Sequence, residues 1–376
     1  MKQLNRSFCL VASLLAACGG STDAVLAQNS AFETEVIADL DAPWALAFLP
    51  DGRLLVSEMR GELLLLDGDS TDEVRRLDGV PEVEFAGQGG FGDVVLHPDY
   101  ASNDFVYLSF AEPGSGGTSG AAVARAQLDL DAGALQDFEV IWRQQPKVSG
   151  NGHYGHRIAF GPDGYLWISS GERQKFDPAQ DMQANLGKVI RLNSDGSVPA
   201  DNPFAAQGGV AAQIWSLGHR NPLGLAFDAN GQLWDVEMGP SGGDELNRVE
   251  RGANYGYPLV SNGRHYSGAD IPDHDTRPDL AAPAVWWNPV ISPSSLVFYG
   301  GDEFPAWQGS ALIGGLSSQA LVRVVFDGEQ AREAERFELG TRIRAIAEAT
   351  DGSVWLLEDG RRGGRGRLMR LTAADD

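Results

Sequence analysis

Cysteine is almost absent: the 376 residues contain only Cys9 and Cys18. Both lie near the N-terminus, and Cys9 falls inside a segment expected to be removed, so no intrachain disulfide can brace the mature fold. Cations are also scarce, with 29 Lys and Arg against 52 Asp and Glu and a formal net charge of −23. Such a chain repels phosphate backbones, which excludes nucleic acid as an expected partner. No basic amphipathic helix is present for lying on a membrane, and long amphipathic helical runs of any kind are rare. Histidine is limited to His97, His153, His156, His219, His265 and His274. No HExxH or CxxC motif accompanies them as a zinc frame.

What is abundant is glycine, 47 residues, well above the usual share of about 7%. With 43% hydrophobic and 22% charged residues, the composition is that of a globular chain rich in tight turns. That combination favours an all-β fold.

Residues 1–18 read as an export signal. Lys2 and Arg6 precede an apolar run from Phe8 to Ala17, and Leu15-Ala16-Ala17-Cys18 resembles a bacterial lipoprotein cleavage box. The run is too short to span a bilayer. Cleavage after Ala27, following Val25-Leu26, is the alternative and would release a soluble protein. A lone Cys18 heading the mature chain is better explained as a lipid attachment point than as a free thiol, with 19–31 as a short tether. The expected location is the periplasm, and the expected link to a membrane is only that lipid.

From residue 32 to 372 one phrase recurs: an apolar strand, a Pro-Asp-Gly-like turn and a second strand. It appears as "WALAFLPDGRLLVSE", "FGDVVLHPDYASNDFVYLSF", "RIAFGPDGYLWISSGE", "LGLAFDANGQLWDVE", "SLVFYGGDEFPAWQGSALIGG" and "IRAIAEATDGSVWLLED". Asp-Gly and Asn-Gly turns between alternating strands are hairpin chemistry. A lone hairpin cannot bury its apolar face, so six copies must stack. Six blades of about four antiparallel strands make a six-bladed β-propeller. "FETEVIADL" and "GRLMRLT" at the two ends are expected to share one blade.

Chemistry should be sought in the loops of one face. Two "GHR" segments precede repeat strands, Gly155-His156-Arg157 and Gly218-His219-Arg220. If residues 153–157 are extended, His153, Gly155 and Arg157 share one side, while Tyr154 and His156 share the other. The histidines then diverge, and a two-histidine metal site loses its geometry. "EMGPSGGDELNRVERGANYGYP" combines turn glycines, whose carbonyls can face inward, with Asp244 and Glu245, a pattern suited to calcium. Arg342 and Arg344, two apart in "TRIRAIAE", share a side. With Arg220 they could converge on an anion bearing several carboxylates.

These blocks, with "GQGGFGDVVLHPDY", "AQDMQANLGKVIRLNSDGSVPADNPF" and "IWSLGHRNPLGLAFD", resemble the soluble periplasmic quinoprotein aldose (glucose) sugar dehydrogenases over nearly all of 32–371. The resemblance implies a propeller that uses pyrroloquinoline quinone (PQQ) and calcium to oxidise aldoses at C1 to the lactone, passing electrons to an unidentified acceptor. It assigns His153 as general base and Glu172, in "SSGER", as the carboxylate that orients it. Arg220 stabilises developing charge. Gln88, Arg220, Asn221, Tyr266, Arg342 and Arg344 surround the cofactor. Backbone carbonyls of Gly239 and Pro240 hold the calcium at the quinone, and Glu245 with the Tyr255 region holds another. His156 falls to scaffold or pocket wall, with Arg157 holding the same lip. A lysine that some relatives offer the cofactor is not evident in "GGLSSQALVRV".

A non-redox ligand-binding propeller and a calcium-dependent propeller hydrolase, such as a lactonase, are the alternatives. Arg220, Arg342 and Arg344 discriminate, because a tricarboxylate cofactor needs cations and a hydrolase needs only metal and base.

Overall fold

Each repeated phrase forms the first hairpin of its own sheet. The computed structural model describes residues 31–374 apart from 69 and 329; the expected export signal, both cysteines and the tether as far as residue 30 lie outside the described residues. The six innermost strands are Pro43–Phe48, Phe91–Leu96, Gly155–Phe160, Pro222–Phe227, Pro293–Phe298 and Ile343–Glu348. Each begins an antiparallel sheet of four main strands, and the second sheet gains the short strand Val148–Ser149. Consecutive innermost strands pack side by side and the last packs on the first, which closes a ring. The six-bladed all-β expectation holds.

Second strands such as Leu54–Glu58, Leu166–Ser170, Leu233–Glu237 and Val354–Glu358 are buried throughout. Both faces of these strands are covered by neighbouring blades, which is why they read as continuous apolar runs with few polar interruptions. The first and last of the described strands share the sixth blade, as expected. Phe32–Asp39 pairs antiparallel with Arg367–Ala373, Thr34 lying opposite Leu371. Among the described residues no helix is long and apolar enough to cross a membrane.

All six innermost strands carry a register shift close to their start, at Pro43/Ala45, Phe91/Val94, Gly155/Ile158, Pro222/Gly224, Pro293/Ser295 and Ile343/Ala345. A bulge leaves a residue out of the ladder and re-aims its side chain and carbonyl. Six bulges at one end of the ring therefore turn polar groups towards the axis.

Arg157 exploits this arrangement. Its Nε donates to Leu223 O at 2.7 Å, Nη2 donates to Ser294 O at 2.7 Å and Arg344 O at 3.4 Å, and Nη1 donates to Asp93 Oδ1 at 3.1 Å. The guanidinium lies 3.9 Å from the centre of the Trp44 ring. One buried side chain thus joins its own blade to the other five. This corrects the expectation that Arg157 only holds a local lip.

Candidate active site

A cavity of about 470 Å³ opens over the bulged end of the ring, lined among others by Gln88, Asn221, Tyr266, Arg342 and Arg344. The side chains expected around a cofactor are therefore brought together, although they come from distant stretches of chain. Arg220 joins them from an adjoining narrow cleft shared with Glu237, Gly239, Pro240, Glu245 and Tyr255. Its Nη2 donates to the hydroxyl of the exposed Tyr266 at 3.3 Å.

His153 does not line this cavity itself but is tied to its wall, its backbone N–H donated to Oε1 of the lining Gln88 at 2.7 Å and its neighbour Tyr154 lining the cavity. Its Nδ1 is 2.5 Å from Glu172 Oε1, so Glu172 reaches the histidine. The other Glu172 oxygen accepts the N–H of Phe176 at 2.7 Å and that of Lys175. Burial tends to raise the Glu172 carboxyl, but the His153 hydrogen bond, its charge and these amides hold it below the ordinary carboxylate value. With Glu172 ionised, Nδ1 carries the proton and Nε2 is the bare, basic nitrogen. Burial also pushes the His153 pKa down, opposed by Glu172 and reinforced by Arg220.

The extended-strand premise used to separate the two histidines does not hold. Both have left-handed backbones, φ 49° at His153 and 62° at His156, and the strand starts only at Gly155. Their separation arises from their partners. The His156 ring stacks on Trp44 with centroids 4.9 Å apart, and its Nδ1 is 2.8 Å from Ser109 Oγ. That hydroxyl also accepts the Asp93 N–H at 2.7 Å, which ties the His156 ring to blade 2. His156 lines the cavity directly. Burial, then the nearby Arg157 and Arg173, depress its pKa to about 3, making it a neutral ring and a poor base.

Arg342 and Arg344 do converge. Their Nε and Nη2 atoms lie 3.0 and 3.2 Å from the same oxygen of Asp359, while Arg361 Nε lies 3.3 Å from the other oxygen. Burial tends to raise Asp359, but the three guanidinium groups prevail and hold it at about 2. Sequence reading missed Asp359 and Arg361. The available signal was their place at the end of a second strand, "LLEDGRRGG", which corresponds to the position of "ISSGER" in blade 3.

The acidic region resolves into two parts. Asp244 is a loop brace, its oxygens accepting the N–H groups of Gly239 at 2.8 Å and Ser292 at 2.7 Å, which corrects its expected place among the cation ligands. Glu245 faces a buried cluster. It lies opposite Glu237 on the paired strand, and Asp235 lies opposite Asn247. His219 Nδ1 is 3.1 Å from Glu237 Oε1 and 3.3 Å from Asp235 Oδ2. His274 Nε2 is 3.2 Å from Glu245 Oε1. Burial raises the Asp235 and Glu245 carboxyls above the ordinary range. Sequence reading missed Asp235, Glu237, Asn247 and both histidines, because cross-strand pairing is what assembles them.

This donor set suits a hard cation. Asn247 Oδ1 is buried without a hydrogen-bond partner, and Asp235 Oδ2 has only the His219 ring nitrogen beside it, at 3.3 Å; with Glu237 the cluster offers mostly oxygen donors and one histidine nitrogen. The Tyr255 hydroxyl is already engaged, donating to Arg248 O and accepting the Glu250 N–H at 2.9 Å, so only its carbonyl is left to serve. The Gly239 carbonyl accepts Arg220 Nη1 at 2.5 Å. The cavity itself suits a polyanion with carbonyl groups, since Arg344 Nε and both side-chain heteroatoms of Asn221 are buried there without partners.

Known proteins sharpen this picture. The sequence profile described as Glucose / Sorbosone dehydrogenase matches residues 40–370. The aldose sugar dehydrogenase YliI of Escherichia coli (strain K12) is 38% identical over 346 residues, covering 90% of this chain and 93% of that protein. A solved glucose dehydrogenase is 41% identical with a TM-score of 0.87, covering 91% of this chain and all, 100%, of that one. The PQQ-bound aldose sugar dehydrogenase of Streptomyces coelicolor is 29% identical with a TM-score of 0.75, over 93% of this chain and 100% of that one.

Proposed function

The chain belongs to the glucose/sorbosone dehydrogenase family, and from that membership we propose that it is a PQQ- and calcium-dependent aldose dehydrogenase acting at C1. The observation that carries the proposal is the His153–Glu172 pair at 2.5 Å beside a cavity walled by arginines and by unpartnered donors. When bound with calcium, PQQ supplies a hydride acceptor, so that oxidation at C1 gives the lactone and leaves two electrons for an external acceptor.

The chain's own residues do the rest. His153 Nε2 takes the proton of the C1 hydroxyl, which frees the electron pair that expels the C1 hydrogen as hydride. Glu172 holds the imidazole in the required tautomer and stabilises the imidazolium that forms. The Gln88 side chain fixes the His153 backbone. Arg220 would stabilise negative charge that grows on an oxygen in the transition state. Arg342 and Arg344 would hold carboxylates of the cofactor, and two arginines placed together at the cavity favour this reading over a calcium-dependent hydrolase. The Gly239 and Pro240 carbonyls would hold the cation at the reacting group, and Glu245 with the Tyr255 carbonyl would hold a second. Export to the periplasm through residues 1–18, with a lipid on Cys18 or cleavage after Ala27, belongs to the same proposal.

The test is reconstitution. Purified protein given calcium and PQQ should reduce an artificial dye with glucose and other aldoses. The double substitution Arg342→Ala with Arg344→Ala should abolish cofactor binding in an absorbance titration. Failure to reduce dye across hexoses, pentoses and disaccharides, with cofactor demonstrably bound, would overturn the reading.

A further inference from the structure

The arginines of the cavity wall differ in how they are held. Arg344 is buried in the bulge of its innermost strand, with Arg342 just before it. Arg361 comes from the tight turn between Val354–Glu358 and Arg367–Ala373. That turn is shaped around backbone contacts: a Cβ on Gly364 would lie 1.8 Å from Asp359 O. Residue 364 must therefore be glycine if the turn is to keep its course and deliver Arg361 to the cavity.

Arg361 makes two anchoring contacts and leaves part of its fork free. Its Nε lies 3.3 Å from Asp359 Oδ1 and its Nη1 donates to Gly87 O at 2.8 Å. Among the described residues its Nη2 has no hydrogen-bond partner, and the side chain lines the cavity. The residue after Gly87 is Gln88, which accepts the His153 N–H. Arg361 therefore bridges the carboxylate beneath Arg342 and Arg344 and the loop against the base.

Charge points the same way. Three arginines share one buried carboxylate, Asp359, whose side chain is 1% exposed, so this wall keeps a surplus of positive charge. The chain as a whole carries −23. A cationic surplus kept at a cavity against the charge of the whole molecule is a device for holding an anion, and a guanidinium with a free edge is shaped for a carboxylate. We propose that Arg361 is a further cofactor-binding residue, giving a carboxylate of the quinone a third guanidinium beside Arg342 and Arg344. This inference rests on the quinone reading above.

The test is an equilibrium titration of PQQ into calcium-loaded protein, read by absorbance, for the wild type, Arg361→Gln, Arg361→Lys and the distant surface control Arg53→Gln. Loss of a charge-assisted hydrogen bond predicts that Arg361→Gln raises the Kd about 10- to 100-fold. Arg361→Lys should fall between wild type and Gln, and Arg53→Gln should match the wild type. Wild-type affinity in Arg361→Gln overturns the inference, as does an equal loss in Arg53→Gln. If Arg361→Gln does not fold, wild-type affinity in Arg361→Lys overturns it. A wild-type protein that binds no PQQ defeats the quinone reading itself, a distinct result.

Discussion

His153 and His156 show how far chemistry depends on partners. Three positions apart and alike in backbone conformation, one meets a carboxylate and the other a hydroxyl and an indole. The pair is legible in the sequence only through resemblance. Alternation along an ideal strand separated the histidines for a reason the left-handed backbone removes, while the Glu172 contact spans a hairpin that no local pattern encodes. The consequence for pH is directional. Because burial lowers the His153 pKa, the acid limb of kcat/KM should lie below the ordinary histidine value of about 6.5, with rate falling as the base becomes protonated. Glu172→Gln removes contributions that raise that pKa, so the limb should move to still lower pH. The rate should drop about 10²- to 10⁴-fold, with PQQ affinity nearly unchanged in the titration. An unshifted profile with a wild-type rate would exclude the orienting role.

At the scale of the strand, the decisive element is the bulge. The hairpin repeat was readable from spacing and turn residues, yet one extra residue per innermost strand leaves no compositional mark. Gly92 is the exception. A Cβ there would sit 2.0 Å from the His156 ring, so the bulge of blade 2 makes room for the histidine of blade 3. Arg157, apparently a companion of that histidine, is fixed by carbonyls that only the bulges expose. Arg157→Met should leave Asp93 buried without its cation, at a cost of about 3–5 kcal/mol. Burial already raises the Asp93 pKa, with Arg157 the main restraint on it. Without that restraint the folded value rises further above the unfolded one, so stability should fall as pH increases through the range between them. Urea denaturation of the variant at pH 5 and pH 8 should show the larger loss at pH 8. An equal loss would place the damage in packing alone.

At the scale of the molecule, the ring and its shared closing blade follow from repeats and from the apolar ends, and the charge total can be read from composition alone. What a total cannot reveal is a cationic cavity inside it, which arises only when blade 6 brings Arg342, Arg344 and Arg361 around Asp359. The shared blade has a kinetic meaning. Phe32 is buried with its ring 5.4 Å from Phe337 and 6.0 Å from Trp307, joining the start of the described chain to blade 5, while its strand pairs with the last strand. These contacts join opposite ends of the described chain, so their loop-closure entropy is large and they are expected to form late. Phe32→Ala should cost about 3–5 kcal/mol. Stopped-flow measurements should find nearly all of that in a faster unfolding rate, with the folding rate hardly changed. Slower folding would mean that the ends meet early. On that order of events the seam is a latch on an already assembled ring, and how seldom it opens would set the lifetime of the native protein.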